Sequence, residues 1–369
     1  MAGIPKEIST WQMVAPTRKD KETGNVVPGK IEKTTIPVPE LKEGEALVEI
    51  AGCGVCHTDL GYFYDGVPTV AKPPLTLGHE ISGTVVAGDK AWVGKEVIVA
   101  AAMPCRKCYL CKTGRANRCL AQLMPGNSMG IYGGNSSHIP VPSVDLCEVK
   151  DRGNTPLAHL AVVADAMATP YQACKRANLE FGDNVIVIGI TGGVGQYQGQ
   201  ICKAMGAKTV IGIARDPKKL ERALQYGADH VISSKDKDTA AVVKEFRNIC
   251  KEKGLPNYGW KIFEVSGTAP GQEIALNLLG FTGKLVIVGF GMQTNQYSIA
   301  RLMAFDAEII GSWGCLPEYY PVVMDMALTG KINMEAFVET RPMSTIAATY
   351  DEVHKAGSPS KRIVLTPDF

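Results

Sequence analysis

Four closely spaced cysteines constrain the fold of this 369-residue chain more than any other feature of its sequence. Cys105, Cys108, Cys111 and Cys119 follow the pattern C-x2-C-x2-C-x7-C, which suits four thiolates around one tetrahedral zinc ion. Such a site has no open coordination position, so it would stabilise a small lobe without performing chemistry. Two alternatives are reduced cysteines that lie together by chance and a zinc knuckle that binds nucleic acid. We call residues 105–119 the four-cysteine lobe.

The charge balance argues against nucleic acid as a partner. Lys+Arg 39 and Asp+Glu 37 give a formal net charge of +2, so no basic surface for nucleic acid or an anionic membrane is expected. No apolar run predicts a membrane-spanning helix, and the N-terminus lacks a signal-peptide pattern. Eleven cysteines cannot all pair as disulfides, which favours metal ligation. We therefore expect a cytoplasmic protein.

The pattern of strands and helices predicts two domains of different architecture. Short β-like runs separated by Gly and Pro predict an all-β core for residues 1–150. Beyond about residue 157, predicted helices alternate with apolar strands, which predicts a parallel, doubly wound sheet. The runs of the first part are 45–55, 80–88 and 95–103. The second part begins with a helix over 157–180, strands over 184–190 and 209–215, and helices from Gly192 and over 217–228.

A second set of candidate metal ligands precedes the four-cysteine lobe. Cys56 in the segment GVCHTD and His79 in LGHE supply a thiolate and an imidazole, and both groups bind zinc. Each residue alone would be weak evidence, since a single His or Cys is more often structural than a ligand. The two motifs, followed by the lobe and by a dinucleotide-type fold, form a far more specific combination.

A glycine-rich turn follows the apolar strand over 184–190. Glycines there would let the backbone approach a pyrophosphate, and the following helix N-terminus would supply N–H donors. The sequence thus predicts a dinucleotide-binding turn formed by Gly189, Gly192, Gly193, Val194 and Gly195.

The end of the next strand gives conflicting signals about the coenzyme. Ala214 followed by Arg215 is the pattern typical of NADP, because an arginine can pair with the 2′-phosphate. Asp216 could instead bind the ribose hydroxyls of NAD if the turn bends back, with Arg215 stacked on the adenine. Both alternatives stay open at this point.

The order of these motifs resembles the zinc-dependent medium-chain alcohol dehydrogenases, and the resemblance covers essentially the whole chain. It implies an α/β plus β fold: a GroES-like catalytic domain over residues 1–166, completed by about 311–369, and a Rossmann coenzyme domain over 167–310. It also implies two Zn²⁺ per chain, a nicotinamide coenzyme, a reaction site in the cleft between the domains, and a homodimer or homotetramer.

The resemblance also implies roles for residues around Cys56 and His79. Asp165 in the segment VADAMATPYQA matches the third ligand of the catalytic zinc, with a helix-terminal or surface acid as the alternative. Glu80 would lie behind the metal as an exchange ligand. Asp59 would orient the zinc-bound histidine.

The proton route and the coenzyme contacts follow from the same resemblance. Thr58 would accept the alcohol proton, but Gly61 stands where many members have the histidine that releases it, so water or His57 must serve. The remaining expected coenzyme contacts are Lys219 at the ribose, Thr169, Val288 and Phe290 near the nicotinamide, and Arg362 at the pyrophosphate.

Longer segments narrow the expected substrate. AGCGVCHTDLGYFYDGVPT, KPPLTLGHEISGTVVAG and AAMPCRKCYLCKTGRANRC are similar to family members that oxidise a cyclic hydroxyacyl-CoA thioester with NAD in anaerobic aromatic degradation. This favours NAD despite Ala214 and Arg215. The alternatives are a dehydrogenase for a free secondary alcohol, with NADP as the coenzyme that the strand-end pattern favours, a conjugate enone or enoyl-CoA reductase, and a non-enzymatic protein that binds zinc and nucleotide.

Overall fold

The computed structural model describes residues 5–356 and 359–369, and the chain divides into two compact units. The first unit contains the residues up to Ala168 together with Gly314–Leu328 and Met334–Phe369, and the second contains Thr169–Trp313 and Thr329–Asn333. The predicted boundaries at 166 and 311 differ from these by two and three residues, and the transfer of 329–333 to the second unit was not predicted. Residues 1–4 of the predicted first domain lie outside the described range.

The regular elements are numbered in chain order. The strands are β1 (Glu7–Ala15), β2 (Arg18–Lys19), β3 (Val26–Val27), β4 (Lys30–Pro37), β5 (Glu45–Gly54), β6 (Leu75–Thr76), β7 (Glu80–Gly88), β8 (Glu96–Val99), β9 (His138–Pro142), β10 (Leu146–Glu148), β11 (Asn184–Ile188), β12 (Thr209–Ala214), β13 (His230–Ser233), β14 (Lys261–Glu264), β15 (Lys284–Ile287), β16 (Glu308–Gly311), β17 (Val338–Pro342) and β18 (Arg362–Thr366).

The α-helices are α1 (His57–Tyr64), α2 (Tyr109–Lys112), α3 (Ala168–Ala177), α4 (Gly195–Ala204), α5 (Pro217–Gln225), α6 (Thr239–Lys253), α7 (Ala269–Leu278), α8 (Ala300–Phe305), α9 (Tyr320–Leu328) and α10 (Ile346–Ala356). Short 3-10 helices span Ala116–Arg118, Ser143–Asp145, Leu157–Ala164, Pro317–Tyr319, Glu335–Phe337 and Met343–Thr345. Among the described residues, no helix has both the length and the apolar character that a membrane crossing requires.

The first unit is built on a seven-stranded, mostly antiparallel sheet. Its strands run in the order β10-β8-β7-β5-β18-β17, and β9 also pairs with β5. A smaller sheet has the order β4-β1-β6. The all-β core predicted for residues 1–150 is therefore confirmed, although the helices α1 and α2 were not predicted. Because β18 comes from the C-terminal segment, the end of the chain completes the sheet, as the GroES-like prediction requires.

The second unit contains the predicted parallel sheet. Six parallel strands run in the order β13-β12-β11-β14-β15-β16, which is the strand order of a Rossmann fold. The central strand β11 is apolar along most of its length because both faces of the sheet are covered. The sixth strand, β16, was missed by the sequence analysis. Its half-exposed residues lack the apolar run that marks a central strand.

The single helix predicted over 157–180 is wrong. A 3-10 helix ends at Ala164, Asp165 has φ −140° and ψ −57°, and α3 then starts at Ala168. Pro170 explains why a continuous helix is unfavourable, because a helical proline lacks an N–H and its ring clashes with the carbonyl four residues earlier. In the first turn of a new helix that N–H is not needed. The break leaves Asp165 outside regular helix geometry.

The glycine turn after β11 begins a helix later than predicted. The chain turns at Gly189, which has φ +85°, and α4 starts at Gly195 instead of Gly192. The backbone N–H of Gly192 bonds to the carbonyl oxygen of Gly189 at 2.9 Å. A Cβ atom on Gly195 would overlap that same carbonyl oxygen. The turn therefore has this shape only with glycine at position 195.

We expect Gly195→Ala to lower the stability of the second unit by about 1–3 kcal/mol, because the new methyl meets rigid backbone. Gly311→Ala is the matched control, since within the described part of the chain no atom beyond its own neighbours in sequence lies within 4 Å of its Cβ position. Thermal unfolding of both variants checks this. Equal midpoints in the two variants would contradict the turn geometry.

Candidate metal and coenzyme sites

The four cysteine sulfurs of the lobe converge on one point. Cys105, Cys108, Cys111 and Cys119 each offer an Sγ atom, and the four atoms lie within 4.8 Å of one another. The sulfur of Cys119 also accepts hydrogen bonds from the backbone N–H groups of Cys105 at 3.3 Å and Ala121 at 3.4 Å. Four thiols with N–H donors aimed at sulfur match a closed, structural zinc site.

The thiol pKa values differ strongly between the cysteines of the lobe. The backbone N–H of Cys111 and neighbouring thiols lower the pKa of Cys108 to about 6. Burial and the adjacent thiols raise the pKa of Cys111 to about 12. Backbone N–H groups also lower the pKa of Cys105, so the chain alone favours thiolate at Cys105 and Cys108 and the neutral thiol at Cys111. A bound cation would remove the penalty on the Cys111 thiolate, and metal binding would release the remaining protons.

A second cluster lies in the first unit, where three elements meet. Cys56 caps the N-terminus of α1, His79 immediately precedes β7, and Asp165 follows the 3-10 helix that ends at Ala164. Together with Glu80 they offer ligand atoms within 4.8 Å of one another. Asp165 Oδ2 lies 3.5 Å from Cys56 Sγ and 3.6 Å from His79 Nε2. The structure thus brings together all four residues of the predicted catalytic metal site.

Asp59 holds the histidine of this cluster from behind. Its Oδ1 lies 3.4 Å from His79 Nδ1 and accepts the backbone N–H of Gly78 at 3.0 Å. Asp59 is fully buried on α1. A carboxylate at Nδ1 fixes the imidazole orientation and leaves Nε2 as the metal-facing atom. This is the arrangement expected for the orienting acid.

Glu80 forms a buried ion pair that the sequence analysis did not predict. Arg362 Nε donates to Glu80 Oε2 at 3.0 Å, and Arg362 Nη2 contacts Glu80 Oε1. The two residues belong to β18 and β7, which lie on either side of β5. A Cβ on Gly54 of β5 would overlap the Glu80 carboxylate, so a glycine there lets the pair cross the strand. Burial outweighs the arginine and raises the pKa of Glu80 to about 7.

Arg362 was predicted to contact the pyrophosphate, and the structure shows a different contact. Its guanidinium pairs with Glu80, and Nη2 lies 4.0 Å from Asp165 Oδ2. The residue is only 4% exposed. Arg362 thus lies beside the candidate metal cluster as an ion-pair partner of Glu80, and the pyrophosphate contact stays a prediction. An arginine in an otherwise apolar strand, RIVLT, was the signal that could have indicated a buried partner.

The predicted proton-transfer residues lie on the first turn of α1. His57 is exposed and Thr58 is half-buried, directly after the ligand Cys56. Gly61 follows one turn later and is buried. Their roles in proton release stay predictions.

Three of the predicted coenzyme residues, Lys219, Val288 and Phe290, follow the carboxyl ends of the parallel strands β12 and β15, whereas Thr169 lies in α3. Gly267, after β14, approaches the loop after β15 so closely that a Cβ atom would overlap the carbonyl oxygen of Phe290. Thr169 is 9% exposed and Phe290 is 71% exposed, while Val288 and Lys219 are half-buried. This edge of a doubly wound sheet is where dinucleotides bind.

The strand-end residues that select the coenzyme have distinct structural roles. Asp216 caps α5, because its Oδ1 accepts the backbone N–H of Lys218 at 2.9 Å and of Lys219 at 3.4 Å. Arg215 is exposed, and its carbonyl oxygen accepts the Ser233 hydroxyl at 3.1 Å. The capping bonds use one oxygen of the carboxylate that would otherwise bind ribose.

A buried glutamate shapes the same edge and was missed by the sequence analysis. Glu264 ends β14, is fully buried, and accepts the backbone N–H of Ser266 at 2.9 Å and of Gly267 at 3.2 Å. Burial raises its pKa, although these donors oppose the shift. An acid at the end of an apolar strand, KIFE, was the available signal. The carboxylate fixes the turn that follows β14.

Comparison with known proteins agrees with both halves of this architecture. Residues 42–151 match the family described as alcohol dehydrogenase GroES-like domain, and residues 193–329 match zinc-binding dehydrogenase. A Geobacillus stearothermophilus alcohol dehydrogenase is 30% identical, covering 89% of this chain and 94% of that protein. A Bombyx mori sorbitol dehydrogenase is 29% identical, covering 91% and 94%. The structure of a Geotrichum candidum acetophenone reductase in complex with NAD has a TM-score of 0.81 at 25% identity, covering 99% and 98%.

The fold and the two cysteine-containing clusters thus define a zinc-binding oxidoreductase. The chain belongs to the zinc-dependent alcohol dehydrogenase family and is an enzyme of that family. Zinc and NAD are the cofactors typical of this family.

Arg362→Gln should lower the free energy of unfolding by about 3–5 kcal/mol, because it leaves the Glu80 carboxylate buried without its counter-charge. Arg152→Gln is the matched control: Arg152 also pairs with a glutamate, Glu96, through Nε at 2.7 Å and Nη2 at 2.9 Å, but this pair is partly exposed. We expect the control to cost about 1 kcal/mol or less. Urea unfolding of both variants, at matched metal content, measures the difference. Similar decreases in the free energy of unfolding in both variants would show that burial does not increase the contribution of the Glu80–Arg362 pair to stability.

Proposed function

We propose that this enzyme oxidises the allylic alcohol of 6-hydroxycyclohex-1-ene-1-carbonyl-CoA to the 6-oxo thioester with NAD, in anaerobic aromatic degradation. The reaction moves a hydride from the carbinol carbon to NAD and releases the hydroxyl proton, so the alcohol is oxidised to a ketone and NAD is reduced to NADH. The observation that carries the dehydrogenase assignment is the convergence of Cys56, His79 and Asp165 in a partly open cluster. The three sequence segments around these motifs support the choice of substrate.

The donor set fits a catalytic Zn²⁺. A thiolate, an imidazole and a carboxylate are all zinc ligands, and three protein ligands leave a position for substrate oxygen. The charges of Cys56, Asp165 and Zn²⁺ would sum to zero. A zinc ion held there supplies Lewis-acid polarisation of the alcohol or ketone oxygen. Glu80 would serve as the exchange ligand, because its carboxylate lies in the same cluster as the three ligands.

The residues of α1 would handle the proton. Thr58 lies two residues after the ligand Cys56 and its side chain is half-buried, which suits acceptance of the substrate hydroxyl proton. His57 is exposed and can exchange a proton with water. Because Gly61 provides no side chain for a longer relay, we propose release through His57 or water.

The surface of the four-cysteine lobe supports a phosphate-bearing substrate. Residues 97–144 contain no Asp or Glu, and Lys107, Lys112 and Arg115 are exposed within this stretch. Exposed basic side chains attract the phosphates of a CoA thioester, and Arg106 of the same lobe already pairs with Asp145 at 2.7 Å. No short motif identifies a CoA site, so the proposal rests on charge and on the resemblance of the segments.

NAD is the coenzyme we propose for this substrate. A relative in Sulfurisphaera tokodaii is described as an NAD-dependent alcohol dehydrogenase, and it is 28% identical over 87% of this chain. The exposed Arg215 is the observation that favours NADP instead, because its guanidinium could pair with a 2′-phosphate. The exposed Arg215 is also compatible with NAD, because its guanidinium could stack on the adenine ring.

A second candidate function is oxidation of a free secondary alcohol or a polyol. The relatives described as sorbitol dehydrogenases favour it, because they match this chain over most of its length. A conjugate reductase is the third candidate from the sequence, and the zinc-type donor set argues against it as the main activity.

We also propose a cytoplasmic homodimer or homotetramer that binds neither nucleic acid nor membrane. All eleven cysteines are unpaired, which suits a reducing compartment.

The function is tested by following NADH formation with a panel of substrates. Cyclic hydroxyacyl-CoA thioesters, their free acids, sorbitol and simple secondary alcohols are each assayed with NAD and with NADP. We expect the highest kcat/KM for the cyclic hydroxyacyl-CoA with NAD. A higher kcat/KM for sorbitol or a free alcohol would contradict the proposed substrate, and a higher kcat/KM with NADP would contradict the proposed coenzyme.

Cys56→Ser should lower the zinc content from two ions per chain to one and abolish alcohol oxidation, because the cluster loses its thiolate. Cys147→Ser is the control, since Cys147 is also buried but lies outside both metal clusters. Metal analysis and the NADH assay check both variants. Full turnover by Cys56→Ser would show that alcohol oxidation does not require this cluster.

A further inference from the structure

Tyr320 makes two buried hydrogen bonds close to the third predicted metal ligand. It is the first residue of α9, is 1% exposed, and donates its hydroxyl to the carbonyl oxygen of Ala164 at 2.8 Å. The same oxygen accepts the backbone N–H of Ala101 at 3.1 Å. Ala164 directly precedes Asp165, and Ala101 follows the strand β8. One hydroxyl thus joins the two segments.

The Ala164 carbonyl group, which accepts the Tyr320 hydroxyl, lies at the end of a helix, where no further backbone N–H group of the helix is available. The last carbonyl groups of a helix have no intrahelical partner and need another donor when buried. Ala164 ends the 3-10 helix and is 1% exposed, and the backbone leaves helical geometry at the next residue. Without the Tyr320 hydroxyl, this buried carbonyl and the Ala101 N–H would both lose a partner that the structure shows.

The geometry points to Tyr320 as a positioning residue for Asp165. We infer that its hydroxyl fixes the backbone from which Asp165 projects and ties it to the end of β8. Its ring does not coordinate the metal, so it acts through the ligand. The inference rests on the proposed metal site.

The connection also relates the two metal clusters through a short piece of chain. Ala101 lies four residues before Cys105, the first ligand of the four-cysteine lobe. Four residues of extended chain span at most about 14 Å. The hydroxyl of Tyr320 therefore holds the segment leading to the lobe and the segment carrying Asp165 in a fixed relation. An aspartate with a short side chain requires such a fixed backbone, because it has few torsions with which to adjust.

Tyr320→Phe tests the inference, because it removes one oxygen and keeps the ring. We expect the second metal ion to bind about 10- to 100-fold more weakly, the usual loss when a residue supporting a ligand is removed. The zinc of the four-cysteine lobe should stay bound. Tyr197→Phe is the control, a loss of an equally buried tyrosine hydroxyl in the second unit. The readouts are metal retained against a chelator and the visible absorption spectrum of the Co²⁺-substituted protein.

A double-mutant cycle shows whether the effect runs through Asp165. Asp165→Asn is compared with and without Tyr320→Phe, and Co²⁺ affinity is measured in all four proteins. Less-than-additive losses support the inference, since both changes act on one ligand. Additive losses would overturn it and leave Tyr320 with a general structural role.

A measurement on the unaltered chain covers the case in which Tyr320→Phe does not fold. If Tyr320 supports metal binding, metal must in turn stabilise its hydrogen bonds. Hydrogen exchange at the Ala101 amide should therefore slow when the metal-depleted protein is reloaded with Zn²⁺, and Asp165→Asn should lose this response. Exchange that is insensitive to Zn²⁺ would overturn the inference. A wild-type chain that binds only one metal ion would instead refute the proposed metal site itself.

Discussion

The first unit depends on how it accommodates several acidic groups buried in one place. Cys56, Asp59 and Glu80 are buried and lose charge stabilisation on removal from water; Asp165 is partly buried, and the ligand or hydrogen-bonding atoms of all four lie close together. Arg362 supplies one counter-charge and divides it between Glu80 and the vicinity of Asp165. A divalent cation would supply two further positive charges. A bound cation would therefore stabilise the cluster, because negative groups buried without a counter-charge raise the free energy of the folded chain.

This electrostatic arrangement explains why two different metal sites occur in one unit. The four-cysteine lobe surrounds its centre with sulfur and N–H donors, so every position is filled by the protein. The second cluster mixes sulfur, nitrogen and oxygen donors. Asp59 contacts its histidine at Nδ1, and Arg362 pairs with Glu80. The closed site suits stability and the mixed site suits exchange of ligands.

Much of this structure could be predicted from local sequence, and the rest depended on distant contacts. The four cysteines, the glycine turn and the alternating strands each carry their signal within a short stretch, so the GroES-like and Rossmann folds were predictable. The break at Asp165 was not, because the apolar run over 157–164 favours a helix and only Pro170 signals an interruption. Glu80 and Arg362 are separated by 282 residues, and no local pattern indicates that they pair.

Gly54 has a consequence for the divergence of related chains. The Glu80 carboxylate occupies the space that a side chain at Gly54 would need, and Arg362 pairs with that carboxylate. The residue tolerated at each of positions 54, 80 and 362 therefore depends on the other two. A chain that exchanges the arginine for a neutral residue gains by exchanging the acid as well, and only then can the strand tolerate alanine at position 54. The three sites should consequently covary, even though the C-terminal member joins the sheet from the far end of the polypeptide.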